Sequence, residues 1–384
     1  IMGPPKQIQV VHAEGSDMYE LKSGLTGQQL FDLVVAALDM PALDLYSFQY
    51  KDSKDHDAYL KLDKKISGQD INKKEDPITF NFKAKFFPES VNDELIGPVV
   101  QRIFWKQIKT GIVDDTIYCP PELCVLFAAQ SMQAQHGDFM EDSHGPGTVI
   151  PGNELPQRVL LQHGLTLEQW EDRVKNAWKS LSGTKKENAV MDYLNIAQDL
   201  EQYGITYFEV TNKKGTRLWL GVHNLGMDIY EFNNKVTPRL GFPWAEIRNI
   251  SFNDKKFIIK MVAKDAPDFK FFSPRFKLNK RILALCVGNH QYFVARRRAQ
   301  ASGELVQEDR ATLEAKLRKT KEQLLAIRMD LEAVKDKTKI VAEDIEYEKN
   351  KEAGLDKFKT MKKAQSGDAK RRILDFESLE EAEC

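Results

Sequence analysis

Near the start of the chain, apolar residues follow first a strand period and then a helix period. Gln7 to His12 and Met18 to Lys22 alternate between apolar and polar side chains, which predicts a hairpin of two strands. From Gly27 to Asp39 the apolar residues recur at helical spacing, and Ile78 to Lys83 alternates again. Two strands, a helix and further strands in so short a stretch are typical of a ubiquitin-like β-grasp unit.

The next part of the chain has a helical period throughout. Apolar spacing of 3.6 residues predicts helices at Glu94 to Lys109, Pro121 to Gln135, Leu167 to Ser180 and Glu187 to Tyr203. The run Gly145-Pro146-Gly147 is expected to be a surface loop and not a phosphate loop, because no amphipathic helix with a third glycine follows it. An all-helical second unit follows from this pattern.

From Ile205 the period changes to two, which predicts a third unit rich in strands. A helix from Phe276 to Arg298 closes it, so a sandwich or barrel capped by one helix is expected, as in PH-like domains. The predicted strands are Tyr207 to Val210, Arg217 to Leu220, Met227 to Tyr230, Glu246 to Phe252 and Phe257 to Val262.

After Ala299 the chain is rich in Glu, Lys, Leu and Ala and contains no proline. Apolar and threonine positions in alternating steps of four and three predict a heptad-bearing helix, roughly 48 Å long if it is continuous. These positions are Leu313, Leu317, Thr320, Leu324, Ile327, Leu331, Val334, Thr338, Val341 and Ile345. The last stretch is polarised, because its lysines and arginines come before a run of acidic residues.

The composition restricts the classes of protein that the chain can represent. Its 384 residues are 42% hydrophobic, with a formal net charge of -1, so several compact units are expected and attraction to anionic surfaces must come from local patches. No apolar run is long enough to span a membrane, and the opening residues lack a secretory signal. The expected location is therefore the cytoplasm.

Catalytic chemistry has no support in the sequence. The GxSxG, Walker A and HExxH motifs are all missing, and the histidines are scattered singly. Cys119 and Cys124 lack a second pair at zinc-ligand spacing, so free thiols are expected. We therefore expect no catalytic residues, no metal and no cofactor, and we expect a protein that is not an enzyme.

Long segments of the chain resemble the ezrin/radixin/moesin family, in the order that the family has them. They are LKLDKKISGQDI (60 to 71), GIVDDTIYCPPE (111 to 122), PQRVL (156 to 160), YLNIAQDLEQYGITYF (193 to 208), GFPWAEIRNISFNDKKF (241 to 257) and NKRILALCVGNHQYF (279 to 293). The segment LDKFKTMKKAQSGDAKRRILDFESL (355 to 379) is similar to the family's actin-binding tail. The central segment between these two parts is shorter than the family's.

The resemblance implies an α+β multi-lobed fold, the FERM cloverleaf followed by a helical tail. The expected lobes are ubiquitin-like (6–86), helical and acyl-CoA-binding-protein-like (87–203), and PH-like (204–298). A helical heptad-bearing linker (299–350) and an actin-binding, self-masking tail (351–384) follow.

The resemblance also implies two binding sites on the lobes. Phosphoinositide headgroups are expected at Lys61, Lys64, Lys255, Lys256, Lys264 and Lys280, although Asp265 stands where the family has a further lysine. A groove for the cytoplasmic tails of receptors and scaffold adaptors is expected at Ile250, Ser251, Phe252, Leu283, Val287 and His290. Lysines close to an anionic leaflet contribute about 1 kcal/mol each, so the patch is effective only if its members share one face.

For the tail, the resemblance implies a role in binding filamentous actin and in masking the lobes. The expected actin-binding residues are Lys362, Lys363, Lys370, Arg371 and Arg372, and the regulatory threonine is Thr360. The expected protein is a linker at the plasma membrane and cell cortex, opened by phosphorylation and phosphoinositide, with closure within one chain or between two. The alternative is a coiled-coil dimer that scaffolds receptors without binding actin. Nucleic acid is not an expected partner.

Overall fold

The computed structural model describes residues 6–302 and 310–380, with side chains in the second range described from residue 318 onward. The chain divides into two compact units. The first contains the residues up to Pro88 together with Glu94–Thr110, and the second contains Glu89–Asp93 and the residues from Gly111 onward.

The first unit is built on a five-stranded sheet in the order β2-β1-β5-β3-β4, in which β1 and β5 are parallel. Helix α1 begins at a capping box formed by Thr26 and Gln29. Its apolar stripe packs on the sheet, where Phe31 contacts the rings of Phe48 and Phe82. The elements are β1 (Gln7–His12), β2 (Gly15–Glu20), α1 (Gly27–Ala37), β3 (Tyr46–Lys51), β4 (Asp57–Tyr59) and β5 (Ile78–Ala84).

The helical lobe surrounds one helix that is buried on nearly every side. Every residue of α4 from Pro121 to Gln133 is buried, most of them apolar or small, and the helix packs against α7 and α8. The indole N–H of Trp178 donates to Gln133 of α4, 2.9 Å away. The helices of this part of the chain are α2 (Val91–Glu94), α3 (Pro98–Val113), α4 (Pro121–His136), α5 (Pro151–Glu154), α6 (Gln157–Leu161), α7 (Leu167–Lys179) and α8 (Lys186–Ala197). Most of α3 falls in the first compact unit.

The PH-like lobe is a seven-stranded sheet, in the order β10-β11-β12-β6-β7-β8-β9, with a long helix that follows it. Strands β10 and β9 lie at its two edges. The helix continues to Ser302, past the predicted end at Arg298. The elements are β6 (Thr206–Thr211), β7 (Arg217–His223), β8 (Gly226–Glu231), β9 (Leu240–Pro243), β10 (Ile247–Asn253), β11 (Lys256–Met261), β12 (Phe269–Phe272) and α9 (Phe276–Ser302).

The tail is divided into separate helices, and the prediction of one unbroken heptad helix is wrong. Helix α10 ends at Glu332, and α11 begins only at Ala342. The residues between them do not form an α-helix, so the heptad repeat is interrupted. Backbone hydrogen bonds to the helical lobe hold Val334 and Asp336, so tertiary contacts override the local period. The side chains of Leu313 and Leu317 lie outside the described residues. The helices are α10 (Arg310–Glu332), α11 (Ala342–Glu352), α12 (Lys357–Ala364) and α13 (Ala369–Ser378).

The described ranges contain neither a helix suited to a membrane span nor a cluster of metal ligands. No helix there is both long and apolar enough to cross a bilayer. Within the same ranges, no group of three or more His, Cys, Asp and Glu side chains is arranged to hold a metal ion.

Candidate functional site

The tail lies along the helical and PH-like lobes, and its contacts with them form the candidate site. It makes four successive contacts: α10 on the helical lobe, then the Asp344 anchor, the Lys357 pocket and the α13 seat. At the first contact, Arg173 Nε pairs with Asp330 Oδ2 at 2.7 Å and Leu331 is buried. A cleft of about 550 Å³ remains between α7 and α10 beside this contact.

The Asp344 anchor consists of Asp344 and the residues of the helical lobe that bind it. Asp344 is 3% exposed. Its carboxylate accepts hydrogen bonds from Tyr118 Oη at 2.8 Å, Gln162 Nε2 at 2.6 Å and Arg158 Nη1 at 3.2 Å. Burial raises the pKa of Tyr118, and the charge of Asp344 raises it further. These contacts supply the donors that a buried carboxylate requires.

Backbone pairing lies next to the Asp344 anchor. The N–H of Gly164 donates to Val334 O at 3.1 Å, and the N–H of Asp336 donates to Gln162 O at 2.8 Å. His163 and Lys335 form an isolated antiparallel bridge between these two bonds. The tail therefore adds a short extended segment to the helical lobe before α11 begins.

The Lys357 pocket holds the side chain of Lys357, which is 6% exposed, at the end of α8. Its Nζ donates to the carbonyl oxygens of Gln198, at 3.1 Å, and Tyr203, at 3.0 Å, and lies 4.9 Å from the centre of the Tyr203 ring. Burial lowers the pKa of Lys357 to about 8, although Glu201 and Asp199 act in the opposite direction. Burial also raises the pKa of Glu201 to about 7, against the effect of Lys357.

Thr360 lies one turn further along the same buried face of α12. It is 2% exposed, and its Oγ1 donates to Lys357 O at 2.7 Å. This face packs against β9, where Gly241 is required by a close approach of the tail. A Cβ at Gly241 would lie 2.7 Å from Gln365 Cγ and 2.7 Å from Asp228 Oδ1, so a larger residue would displace the end of α12.

The α13 seat is a pocket of the PH-like lobe that receives Ile373 and Phe376. Phe376 is fully buried, with its ring edge-on to Phe269 at 4.7 Å between centroids. The loop between β6 and β7 binds the end of the helix. Asn212 Nδ2 donates to the carbonyl oxygens of Phe376, at 3.2 Å, and Leu379, at 2.9 Å. Carbonyls at a helix end lack the i+4 donors of the helix interior, and Phe376 O has only a long local bond from Leu379 N–H at 3.3 Å, so Asn212 supplies a further donor.

Arg372 belongs to the same contact, although the sequence placed it among the actin-binding residues. Its guanidinium is buried, donates to the carbonyl oxygens of Gln365 and Gly367 at 2.6 Å each, and pairs with Glu246 of the PH-like lobe. The other predicted actin-binding residues, Lys362, Lys363, Lys370 and Arg371, are exposed. The predicted cluster therefore divides between the contact with the lobe and the outer surface of the tail.

The predicted phosphoinositide lysines come from both compact units. Lys255 and Lys256 lie at the turn between β10 and β11, and Lys280 is in the first turns of α9. Asn279 Nδ2 donates to Asp254 O at 2.8 Å, which holds that turn against the start of α9. Lys264 follows the other end of β11, roughly 16 Å further along the strand direction, and Asp265 beside it is exposed. Exposed Lys61 and Lys64 belong to the first compact unit.

Two residues of the predicted receptor groove, Ser251 and Val287, are exposed beside the part of the tail that the structure describes. Ile250, Ser251 and Phe252 lie on β10, whose outer edge is the edge of the sheet, and Ser251 is exposed. On α9, Leu283 and His290 are half-buried, and Val287 is 43% exposed. The seated tail therefore does not cover Ser251 or Val287.

Comparison with known proteins gives matches to the lobes and to the tail. The model of the FERM central domain matches residues 90–208, that of the FERM C-terminal PH-like domain matches 212–301, and that of the ezrin/radixin/moesin family C terminal matches 304–379. "Moesin/ezrin/radixin homolog 1" of Culex quinquefasciatus is 50% identical over 280 residues, which cover 73% of this chain and 49% of that protein. The chain thus spans about half the length of this curated relative.

Solved structures show the same fold. The crystal structure of the FERM and C-terminal domain complex of Drosophila Merlin is 37% identical, covers 77% of this chain and 98% of that chain, and has a TM-score of 0.73. The MyTH4-FERM MF2 domain of Dictyostelium discoideum myosin VII, at 12% identity, covers 77% of this chain and 61% of that chain with a TM-score of 0.56, a likeness of fold alone. The predicted three-lobed FERM fold with a helical tail is confirmed, and the chain belongs to the ezrin/radixin/moesin family.

Proposed function

We propose that this chain is a non-enzymatic linker between the plasma membrane and filamentous actin, held in a masked form by its own tail. One observation carries the proposal. The last two tail helices bury their apolar faces and Arg372 on the PH-like lobe, so part of the predicted actin-binding surface is enclosed while the tail is seated. Release of the tail would expose Arg372 beside the lysines that are already at the surface. A basic cluster of this kind suits an acidic filament.

Phosphorylation of Thr360 would oppose the seated state. A phosphate carries about -1.5 to -2 charges at neutral pH, and the buried face of α12 has no room to hydrate it. Asp199, Glu201 and Asp228 all act on neighbouring Lys357, so the added charge would enter an acidic region. Because Thr360 is buried, a kinase requires the tail to lift before it can reach the hydroxyl.

We expect Thr360→Asp to bind actin filaments at least ~tenfold more tightly than Thr360→Val, because desolvating the carboxylate outweighs the packing it retains. Co-sedimentation with filamentous actin measures this. Ser366→Asp is the matched control, because Ser366 is exposed between α12 and α13, and it should behave as the unmodified chain. Equal binding by the two Thr360 variants would remove Thr360 as the switch.

The scaffold alternative depends on a free heptad seam. Ile327 and Leu331 of that seam face the helical lobe instead of a second helix. This placement favours the linker. A scaffold without actin binding would leave the Thr360→Asp variant in the supernatant, with a dimer mass by light scattering.

The membrane side of the proposal concerns the lysines at the start of α9. We expect replacement of Lys255, Lys256 and Lys280 together by Asn to weaken binding to phosphoinositide vesicles by at least ~tenfold, because each lysine contributes about 1 kcal/mol. The matched control changes exposed Lys321, Lys337 and Lys349 of the tail to Asn, which alters net charge equally. Equal weakening in flotation assays would show that general charge, and not this patch, binds the vesicle.

Receptor tails would add as an extra strand to the open edge of β10. This receptor groove stays a prediction.

A further inference from the structure

We propose that Lys357 is a modification site, at which acylation of the side-chain nitrogen prevents the lifted tail from returning to the lobes. The inference rests on the proposed masking function and adds a second covalent switch, one turn from Thr360. It would act by removing a charge, whereas phosphorylation adds one.

The side chain of Lys357 is distinguished from its neighbours by its direction. The other lysines of α12, Lys359, Lys362 and Lys363, are exposed. Lys357 instead enters the lobes, with its Nζ between the carbonyl oxygens of Gln198 and Tyr203. Acylation of the exposed lysines would change only the surface of the tail, whereas acylation of Lys357 would change the contact itself.

The pocket requires an ammonium group. Gln198 is the C-terminal cap of α8, where unpaired carbonyls and the helix dipole both favour a cation. Glu201 and Asp199 add negative charge, and the ring of Tyr203 presents its face to Nζ. The partners of Nζ there are thus two carbonyl acceptors and a π-face.

An acetylated lysine does not meet these requirements. It has no charge and only one N–H, so one of the two carbonyl oxygens would lose its donor in a buried site. It also adds a carbonyl and a methyl group to a side chain that is almost completely enclosed. The seated state would therefore be disfavoured by unpaired acceptors, lost cation contacts and excess volume.

The chemistry requires the tail to be lifted, because Nζ is enclosed when it is seated. The neutral amine attacks the carbonyl carbon of an acyl thioester, such as acetyl-coenzyme A. The C–N bond forms, the C–S bond breaks, and the thiolate leaves with the proton that the nitrogen loses. In the lifted tail Lys357 is an ordinary exposed lysine, so modification follows opening and then maintains it.

The test places N-acetyllysine at position 357 of the full chain by genetic encoding, with N-acetyllysine at 359 as the matched control on the same helix. We expect amides of α12 and α13 to exchange hydrogen at least ~tenfold faster in the first protein and at the unmodified rate in the second. Treatment with a lysine deacetylase should restore protection. Unchanged protection in the first protein would overturn the inference.

A second measurement tests the order of events. Incubation with acetyl-coenzyme A, followed by mass spectrometry, should modify Lys357 faster in Thr360→Asp than in the unmodified chain, while Lys359 reacts equally in both. Equal rates at Lys357 would overturn the requirement for opening.

The two proposals fail separately. If Thr360→Asp binds filaments while acetylation at 357 leaves the tail protected, the inference is wrong and the linker function stands. If acetylation releases the tail without any gain in filament binding, the inference stands and the linker function is wrong.

Discussion

Replacing Phe376 by alanine is expected to release the end of the tail from the PH-like lobe. Its ring is fully buried against Phe269, and truncating a buried phenylalanine costs about 3 kcal/mol or more. The lost free energy would weaken mainly the binding of α13 to the lobe, because the Phe376 side chain contacts the lobe and does not hold α13 itself together. Amides of α13 should therefore exchange hydrogen roughly a hundredfold faster than in the unmodified chain.

Leu374→Ala is the matched control for this change. Leu374 is on the same helix but is 57% exposed, so its truncation removes little contact with the lobe. Its exchange rates should stay within about threefold of the unmodified chain. Equal effects of the two substitutions would mean that helix propensity, and not the seat on the lobe, controls this end of the tail.

The sequence was most informative where a strong period coincided with a clear start signal. Helices α1 and α7 were predicted close to their observed bounds, and both begin at a threonine capping box. Short strands were missed. Strand β4 has three residues, and β9 contains a glycine and a proline, so neither shows an alternation long enough to recognise.

The heptad prediction failed for a different reason. The repeat in residues 313–345 is real, but one face of α10 packs on α4, and the following residues are held by the backbone of Gln162 and Gly164. The period of the apolar residues is the same whether the helix pairs with a second helix in a coiled coil or packs its apolar face on a lobe of the same chain. Ile345, a predicted seam residue, is mostly exposed.

The candidate site was only partly predictable. The resemblance implies that the tail masks the lobes, and Ile373 and Phe376 of the tail are buried on the PH-like lobe. Arg372 is predicted among the actin-binding residues, and the sequence gives no sign that either Arg372 or Lys357 is buried, because lysine and arginine are rarely buried without partners. Their partners, the carbonyls after α8 and the carboxylate of Glu246, come from distant parts of the chain. Only the tertiary structure brings these groups together.

Asp344 was not predicted at all, and its replacement by alanine is expected to lift the middle of the tail. The substitution removes from a buried site the carboxylate that accepts from three donors, at a cost of about 3 kcal/mol or more. Arg158 would keep Asp115 at 3.1 Å, but Tyr118 and Gln162 would lose the carboxylate that they bind. Hydrogen exchange should accelerate roughly a hundredfold across residues 334–352.

Two further variants separate the anchor from a general effect of charge. Glu343→Ala removes the neighbouring carboxylate, which is half-buried, and should leave exchange across 334–352 within about threefold of the unmodified chain. Tyr118→Phe removes one donor to Asp344 and should cost about 1 kcal/mol in the unmodified chain but almost nothing in Asp344→Ala. Additive effects in this double-mutant cycle, or equal effects of Glu343→Ala and Asp344→Ala, would show that the anchor does not hold the tail. The cycle therefore measures how much of the seated state depends on a single carboxylate, independently of Lys357 and the α13 seat.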